Sequence, residues 1–259
     1  MVGQSVGFGQ RIIAHRGASG DAPENTLLAF RLAWEQGADG IEGDFRLTND
    51  HQPVCIHDAD TSRITGGKTK LEVAKATFAQ LRELDVGRWK DERFAGERIA
   101  TLAEVLSVLR PGGKFFLEIK GGPELVHPIA EVLRQAKADL SQIVIISFDH
   151  RTVAEVRRTL PEVTAYWLVS YEKDKETGRW KPSVDEILET LRAANAHGLG
   201  TQGNPEVVTE QFVRQIRQGG FELNVWTIND EGLARYFQQL GVDSITTDYP
   251  LRIRRALGR

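Results

Sequence analysis

The chain has 259 residues and a formal net charge of −3, from 33 basic and 36 acidic side chains. That balance excludes bulk attraction to nucleic acid or to an anionic membrane surface, so an anionic ligand has to be held by a local site. With 41% hydrophobic and 27% charged residues, and no uncharged apolar run near the roughly 20 residues that cross a bilayer, a globular protein without a membrane span is expected.

The length suits one α/β barrel domain. Met1 to Gln10 has no basic flank followed by an apolar stretch, so no secretory leader and a cytoplasmic location are expected. Strand-like apolar runs then follow at 12–15, 40–45, 115–119, 143–147, 164–169, 196–201, 223–227 and 243–247. Amphipathic helical stretches separate them. Asn25-Thr26 opens one that Gly37 closes, and Thr209 opens another over 210–218 that Gly219-Gly220 closes. Eight strands alternating with helices predict a closed parallel (β/α)8 barrel, the TIM-barrel fold, as a single domain over 1–259.

One segment breaks the alternation. The extended run 53–57 follows Phe45 after a link too short for a parallel crossover, which needs about a dozen residues. It therefore predicts an antiparallel hairpin over 45–56, turning near Asn49-Asp50, that rises above the rim of the second strand and returns His57 to it. Cys55, the only cysteine, lies in this apolar run and reads as a small buried hydrophobe. The insertion at about 59–100 is long enough to predict a lid subdomain over the barrel mouth.

Glu42 and Asp44 are two apart in a strand and share a face. Burying two like charges there calls for a cation or a basic partner. Glu118 and Lys120 repeat the spacing at the end of the next strand. Three carboxylates on neighbouring strand ends form an oxygen-rich site suited to Ca²⁺ or Mg²⁺; ordinary rim charges, with Glu118 paired to Lys120 or Arg16, are the plain alternative. His15 ends the first strand and His57 the hairpin. Two imidazoles at one rim can divide a proton transfer, one as base and one as acid. Arg16 offers a planar fork to a phosphate and Lys120 a point charge. His51, His127, His150 and His197 sit at turns and element ends and read as capping or solvated.

His15-Arg16-Gly17, Pro23-Glu24-Asn25-Thr26, Glu42-x-Asp44, His57-Asp58, Glu118-x-Lys120, Trp226-Thr227-Ile228-Asn229 and Thr247-Asp248-Tyr249-Pro250 occur in this order. The set resembles the glycerophosphodiester phosphodiesterase family over nearly the whole chain. The resemblance implies a (β/α)8 fold and hydrolysis of glycerophosphodiesters, such as glycerophosphocholine or glycerophosphoethanolamine, to an alcohol and sn-glycerol 3-phosphate with a divalent cation. It places the metal on Glu42, Asp44 and Glu118, the acid and base on His15 and His57, and the phosphate against Arg16 and Lys120. Glu24 supports that end of the site, Asn25 caps the following helix, and Trp226 packs either on the substrate or in the core. One departure is Gly43, where an aliphatic residue is expected; it faces away from the interior, so it bears on packing.

The attacking group is then water or the substrate's own glycerol 2-hydroxyl, the latter giving a cyclic phosphate. Two competing readings remain. A lysophospholipid phosphodiesterase on the same barrel would need an apolar groove, for which the insertion offers only Trp89 and Phe94. A non-catalytic barrel that binds glycerophosphodiesters would not need both histidines and every carboxylate. The head group, the metal and the oligomeric state are not legible; a homodimer is held open.

Overall fold

The computed structural model describes residues 10–259; the leader reading of Met1 to Gln10 falls, except for Gln10, outside them. Strand β1 (Arg11–Ala14) leads through helix α1 (Leu27–Glu35) to β2 (Gly40–Leu47) and the short arm β3 (Pro53–Cys55). After the helical turns α2 (Phe78–Arg82) and α3 (Leu102–Leu106) come β4 (Lys114–Ile119), α4 (Val126–Gln135), β5 (Ile143–Ser147), α5 (His150–Thr159) and β6 (Thr164–Val169). A small hairpin, β7 (Glu172–Lys173) with β8 (Trp180–Lys181), precedes α6 (Val184–Ala193), β9 (Gly198–Gln202), α7 (Glu210–Gln218), β10 (Glu222–Trp226), α8 (Glu231–Leu240), β11 (Ser244–Thr247) and α9 (Pro250–Ala256).

The main sheet has nine strands, of which all but β3 run parallel and close into a barrel through the pairing of β1 with both β11 and β2. The expected eight-stranded (β/α)8 barrel is therefore present. The predicted hairpin is present too: Phe45 pairs with Cys55 and Leu47 with Pro53, antiparallel, and the Ile56 amide donates to the Asp44 carbonyl. The link is too short for anything else, and the sequence shows it. Helix α3 is short, closing at Leu106, and the β7–β8 hairpin carries no strong strand signal. Among the described residues no helix is long and apolar enough to cross a membrane.

Two apolar layers hold the barrel. The larger lies between strands and helices, with Phe30, Phe45, Phe115, Leu117, Ile129 and Phe237 fully or almost fully buried. The smaller fills the barrel itself with Ile13, Phe116, Val144, Ile146, Tyr166 and Leu168. Side chains alternate along a strand, and the register pairs Glu42 with Phe116 and Asp44 with Glu118. Glu42 thus shares the interior face with its register partner Phe116, and Asp44 and Glu118 follow on that face one step nearer the C-terminal rim.

The insertion has its own apolar cluster, in which Ile64, Val73, Ala76, Leu81, Val86 and Ile99 pack on Val54 and Ile56 of the hairpin. It is anchored to the arm that carries His57.

Candidate active site

The first strand ends in a sharp turn. Arg16 and Gly17 both adopt left-handed backbone, with φ of 54° and 79°. A Cβ on Gly17 would sit 2.6 Å from the Ala29 carbonyl carbon, so only glycine allows the turn to press against α1. The turn aims the Arg16 amide at Glu42, donating to Oε2 over 2.8 Å. His15, just before it, lines the cavity with its Nδ1 2.7 Å from Asp248 Oδ1.

The carboxylates come next. Glu42, Asp44 and Glu118 are buried, and one oxygen of each lies within 4.8 Å of the others. Lys120 Nζ is 2.7 Å from Glu118 Oε1 and 3.2 Å from Asp44 Oδ1, while Arg16 Nε is 3.1 Å from Asp44 Oδ2. Asp44 is held more closely still by Asn25, whose Nδ2 donates to Oδ2 over 2.9 Å and whose Oδ1 accepts from the Asp44 amide over 3.2 Å.

This packing splits the titration of the trio. Burial pushes Glu42 well above the usual carboxylate range, and the charges of Asp44 and Glu118 add to it. Glu118 is pushed up to about 7 by burial and by Asp44, against the pull of Lys120. Asp44 is as deeply buried, yet Lys120, Arg16, His57 and the Asn25 amide overcome burial and hold it at about 2. Two carboxylates that resist ionisation beside one that is ionised signal a site short of positive charge. Among the described residues, Glu42 Oε1 is buried without a hydrogen-bond partner, and Asp44 Oδ1 and Glu118 Oε1 meet the Lys120 ammonium without good hydrogen-bond geometry. A buried, all-oxygen set with unsatisfied lone pairs fits a hard divalent cation.

His57 returns from the hairpin with Nδ1 2.7 Å from Asp58 Oδ1. Its backbone is fixed as well, because Arg46 donates Nε to the His57 carbonyl over 2.8 Å and Nη1 to the Lys120 carbonyl over 3.0 Å. Burial lowers the His57 pKa, opposed by the Asp44 and Asp58 carboxylates. Each histidine thus has Nδ1 tied to a carboxylate, which leaves Nε2 without a hydrogen bond among the described residues; His15 Nε2 lies 4.0 Å from Glu42 Oε2.

The cavity measures about 150 Å³. One wall is charged: His15, Arg16, Glu42, His57, Glu118 and Lys120. The other carries Ile146, Phe148, Leu168 and Trp226, with the polar groups of Asn224, Thr227 and Thr246 between. Phe148 is the one large hydrophobic residue that is exposed among those described, at 43%, and it packs edge-on against Trp226 with ring centres 5.5 Å apart.

Of the residues expected from sequence, His15, Arg16, Glu42, His57, Glu118, Lys120 and Trp226 line this cavity, and Asp44 lies against it through Lys120 and Arg16. Glu24 stands one step back, its oxygens taken by Arg16 and Arg63. Asn25 is a correction. Thr26 caps α1, accepting from the Ala29 amide, while Asn25, with φ of 58°, turns its amide inward to Asp44. Gly43 does face away from the interior, and a Cβ there would press Phe30 and Cys55 at 3.1 and 3.2 Å; those two side chains fill the space an aliphatic residue would take. Trp89 and Phe94 do not line the cavity. Sequence reasoning assigned no role to Asp58, Arg63, Phe148 or Asp248. Asp58 adjoins His57 in sequence and Asp248 lies in one of the ordered motifs, but nothing local marks Arg63 or Phe148.

A sequence profile of the Glycerophosphoryl diester phosphodiesterase family matches residues 15–252. A glycerophosphodiester phosphodiesterase of Caldanaerobacter subterraneus is 35% identical, covering 92% of this chain and 94% of that one. Glycerophosphodiester phosphodiesterase 1 of Mus musculus is 31% identical, covering 90% and 76%. Among solved structures, a phosphodiesterase of Oleispira antarctica in complex with the product sn-glycerol-3-phosphate superposes with a TM-score of 0.85 at 31% identity, covering 97% of this chain and 98% of that one.

Proposed function

Because the chain belongs to the glycerophosphoryl diester phosphodiesterase family, we propose that it hydrolyses glycerophosphodiesters to an alcohol and sn-glycerol 3-phosphate, with His15 and His57 moving the protons and Glu42, Asp44 and Glu118 holding a divalent cation. The observation that carries this reading is the pairing of two carboxylate-tethered imidazoles with an oxygen trio in one cavity. The Oleispira antarctica protein, solved with sn-glycerol-3-phosphate, supports the product.

Arg16 and Lys120 face the substrate phosphate and offset its charge. Glu42, Asp44 and Glu118 would hold the cation, Ca²⁺ or Mg²⁺ by the hardness of the donors, and it would supply further positive charge against the phosphate. The Nε2 atom of one histidine accepts the proton of the attacking hydroxyl, and the Nε2 atom of the other donates a proton to the departing alcohol oxygen. Asp248 and Asp58 keep each ring in the tautomer and orientation this needs.

The cavity has a volume of about 150 Å³, and its lining passes from the charged groups to Phe148 and Trp226. A glycerophosphate half fills such a space, so the alcohol half projects past the rim at Phe148 and Trp226. The test is release of sn-glycerol 3-phosphate from glycerophosphocholine, glycerophosphoethanolamine and lysophosphatidylcholine with Ca²⁺, Mg²⁺ or Mn²⁺. Release that needs a cation and is faster from the two glycerophosphodiesters supports the reading. No release from either of those with any cation sinks it.

A further inference from the structure

The insertion contributes no side chain to the cavity wall, yet Arg63 reaches the catalytic groups from it. Its Nε is 2.7 Å from Asp58 Oδ2, and Nη1 and Nη2 are 2.7 and 2.8 Å from Glu24 Oε2 and Oε1. Each of those carboxylates has a second partner in the site. Asp58 Oδ1 meets His57 Nδ1 at 2.7 Å, and Glu24 Oε1 meets Arg16 Nη1 at 2.9 Å. One guanidinium therefore stands midway in a continuous chain of contacts from His57 to Arg16.

The turn that carries it is firmly built. Ile64 is buried in the insertion's apolar cluster, and Thr61 and Thr65 are buried beside it. Thr65 Oγ1 donates to the Thr61 carbonyl and Thr61 Oγ1 to the Thr69 carbonyl, both over 2.9 Å. The guanidinium lies over Trp89, 5.7 Å from the ring centre. Serving two carboxylates at once, one of them through a fork, is a geometry a single ammonium cannot reproduce.

We propose that Arg63 is a positioning residue through which the insertion acts on the reaction: it fixes Asp58, and through Asp58 the His57 ring, in register with the Glu24-supported Arg16. The inference rests on the hydrolase reading. An ordinary half-exposed ion pair in the same place would contribute little, and its loss would leave turnover alone.

The test measures kcat and KM for glycerophosphocholine with wild type, Arg63→Ala and Arg63→Lys, with thermal unfolding to establish the folded fraction, and repeats Arg63→Ala with added guanidinium ion. A displaced ring predicts a fall in kcat of about ten- to a hundredfold in Arg63→Ala with little change in KM. Arg63→Lys recovers only a minor part of it, and free guanidinium raises the activity of Arg63→Ala but not of His57→Ala. The proposal is overturned if Arg63→Ala keeps a wild-type kcat, if Arg63→Lys restores it fully, if the loss merely follows the unfolded fraction, or if guanidinium has no effect. A wild-type protein that releases no sn-glycerol 3-phosphate defeats the hydrolase reading itself; active wild type with equally active Arg63→Ala defeats this inference alone.

Discussion

His15 and Asp248 are 233 positions apart in sequence, and their Nδ1 and Oδ1 atoms are 2.7 Å apart. Barrel closure brings them together, because Ala14 and Thr247 are register partners on β1 and β11 and each is followed by one of the pair. Asp248 is in turn held by Ser19 Oγ at 3.0 Å and Asn229 Nδ2 at 2.5 Å. Burial opposes its ionisation, but His15, Asn229 and Ser19 keep it at about 2. It is a fixed anion that holds His15 by Nδ1 and leaves Nε2 as the nitrogen turned toward Glu42.

Asp248→Asn puts an amide where that anion stood and frees the ring to adopt the other tautomer. We expect kcat to fall by on the order of a hundredfold, with KM changed far less. Steady-state assays on glycerophosphocholine check this, and a kcat within threefold of wild type would show that His15 does not depend on Asp248.

The raised pKa of Glu118, to about 7, makes a signed prediction for the cation-free protein. A carboxyl whose folded pKa exceeds its unfolded one binds more protons when folded, so stability falls as pH rises from about 4.5 to about 7. His57, depressed by burial, contributes in the opposite direction near the top of that window. Glu42 is also raised, in part by the charge of Glu118, so Glu118→Gln removes the first effect and lessens that of Glu42 in the same direction while leaving the His57 effect in place, and the comparison is between wild type and this variant. Melting temperatures across this range should show the variant gaining on wild type as pH rises. A divalent cation at pH 7 should raise the wild-type value, by about 2.7 kcal/mol of stability at a hundred times its Kd, and raise that of the variant much less. A wild type indifferent to every cation would contradict the metal assignment.

Asn25 binds Asp44 twice and also accepts from Cys55 Sγ at 3.2 Å. Glycine tolerates its left-handed backbone, so Asn25→Gly removes the amide alone. A hydrogen bond to a buried charge contributes about 1.5–3 kcal/mol. At roughly 2–4 °C per kcal/mol for a domain of this size, the melting temperature should drop by several degrees, and cation affinity should weaken with it. An unchanged melting temperature would mean that Asp44 finds another partner.

Phe148 is exposed at the rim beside Trp226, where the proposed reading puts the alcohol half of the substrate. Phe148→Ala should lower kcat/KM for glycerophosphocholine about fivefold, by the loss of apolar and cation–π contact with its methylated ammonium. Glycerophosphoglycerol should be affected less. Equal losses on both substrates would remove Phe148 from head-group choice.

The barrel was legible because each strand and helix obeys its own local signal, and the hairpin because a link that short permits no crossover. Glu42, Asp44 and Glu118 were legible from strand parity, which fixes the face of a side chain before any tertiary contact is known. Asp248 and Arg63 were not, since their roles arise from barrel closure and from the docking of the insertion on β3. Phe148 follows β5 and reads as an ordinary apolar residue; only its exposure at the cavity mouth distinguishes it. Asn25 misled for a local reason: an asparagine beside a helix start usually caps it, but the positive φ turns its side chain inward and leaves the cap to Thr26.

The central claim is that two histidines carry the protons of a single hydrolysis. The direct measurement is release of sn-glycerol 3-phosphate from glycerophosphocholine by His15→Ala and by His57→Ala, with the activating cation present and folding verified. General acid and base groups each contribute about 10²–10⁴ to rate, so both variants should lose at least a hundredfold in kcat. Turnover near the wild-type rate by either one would contradict the two-histidine account.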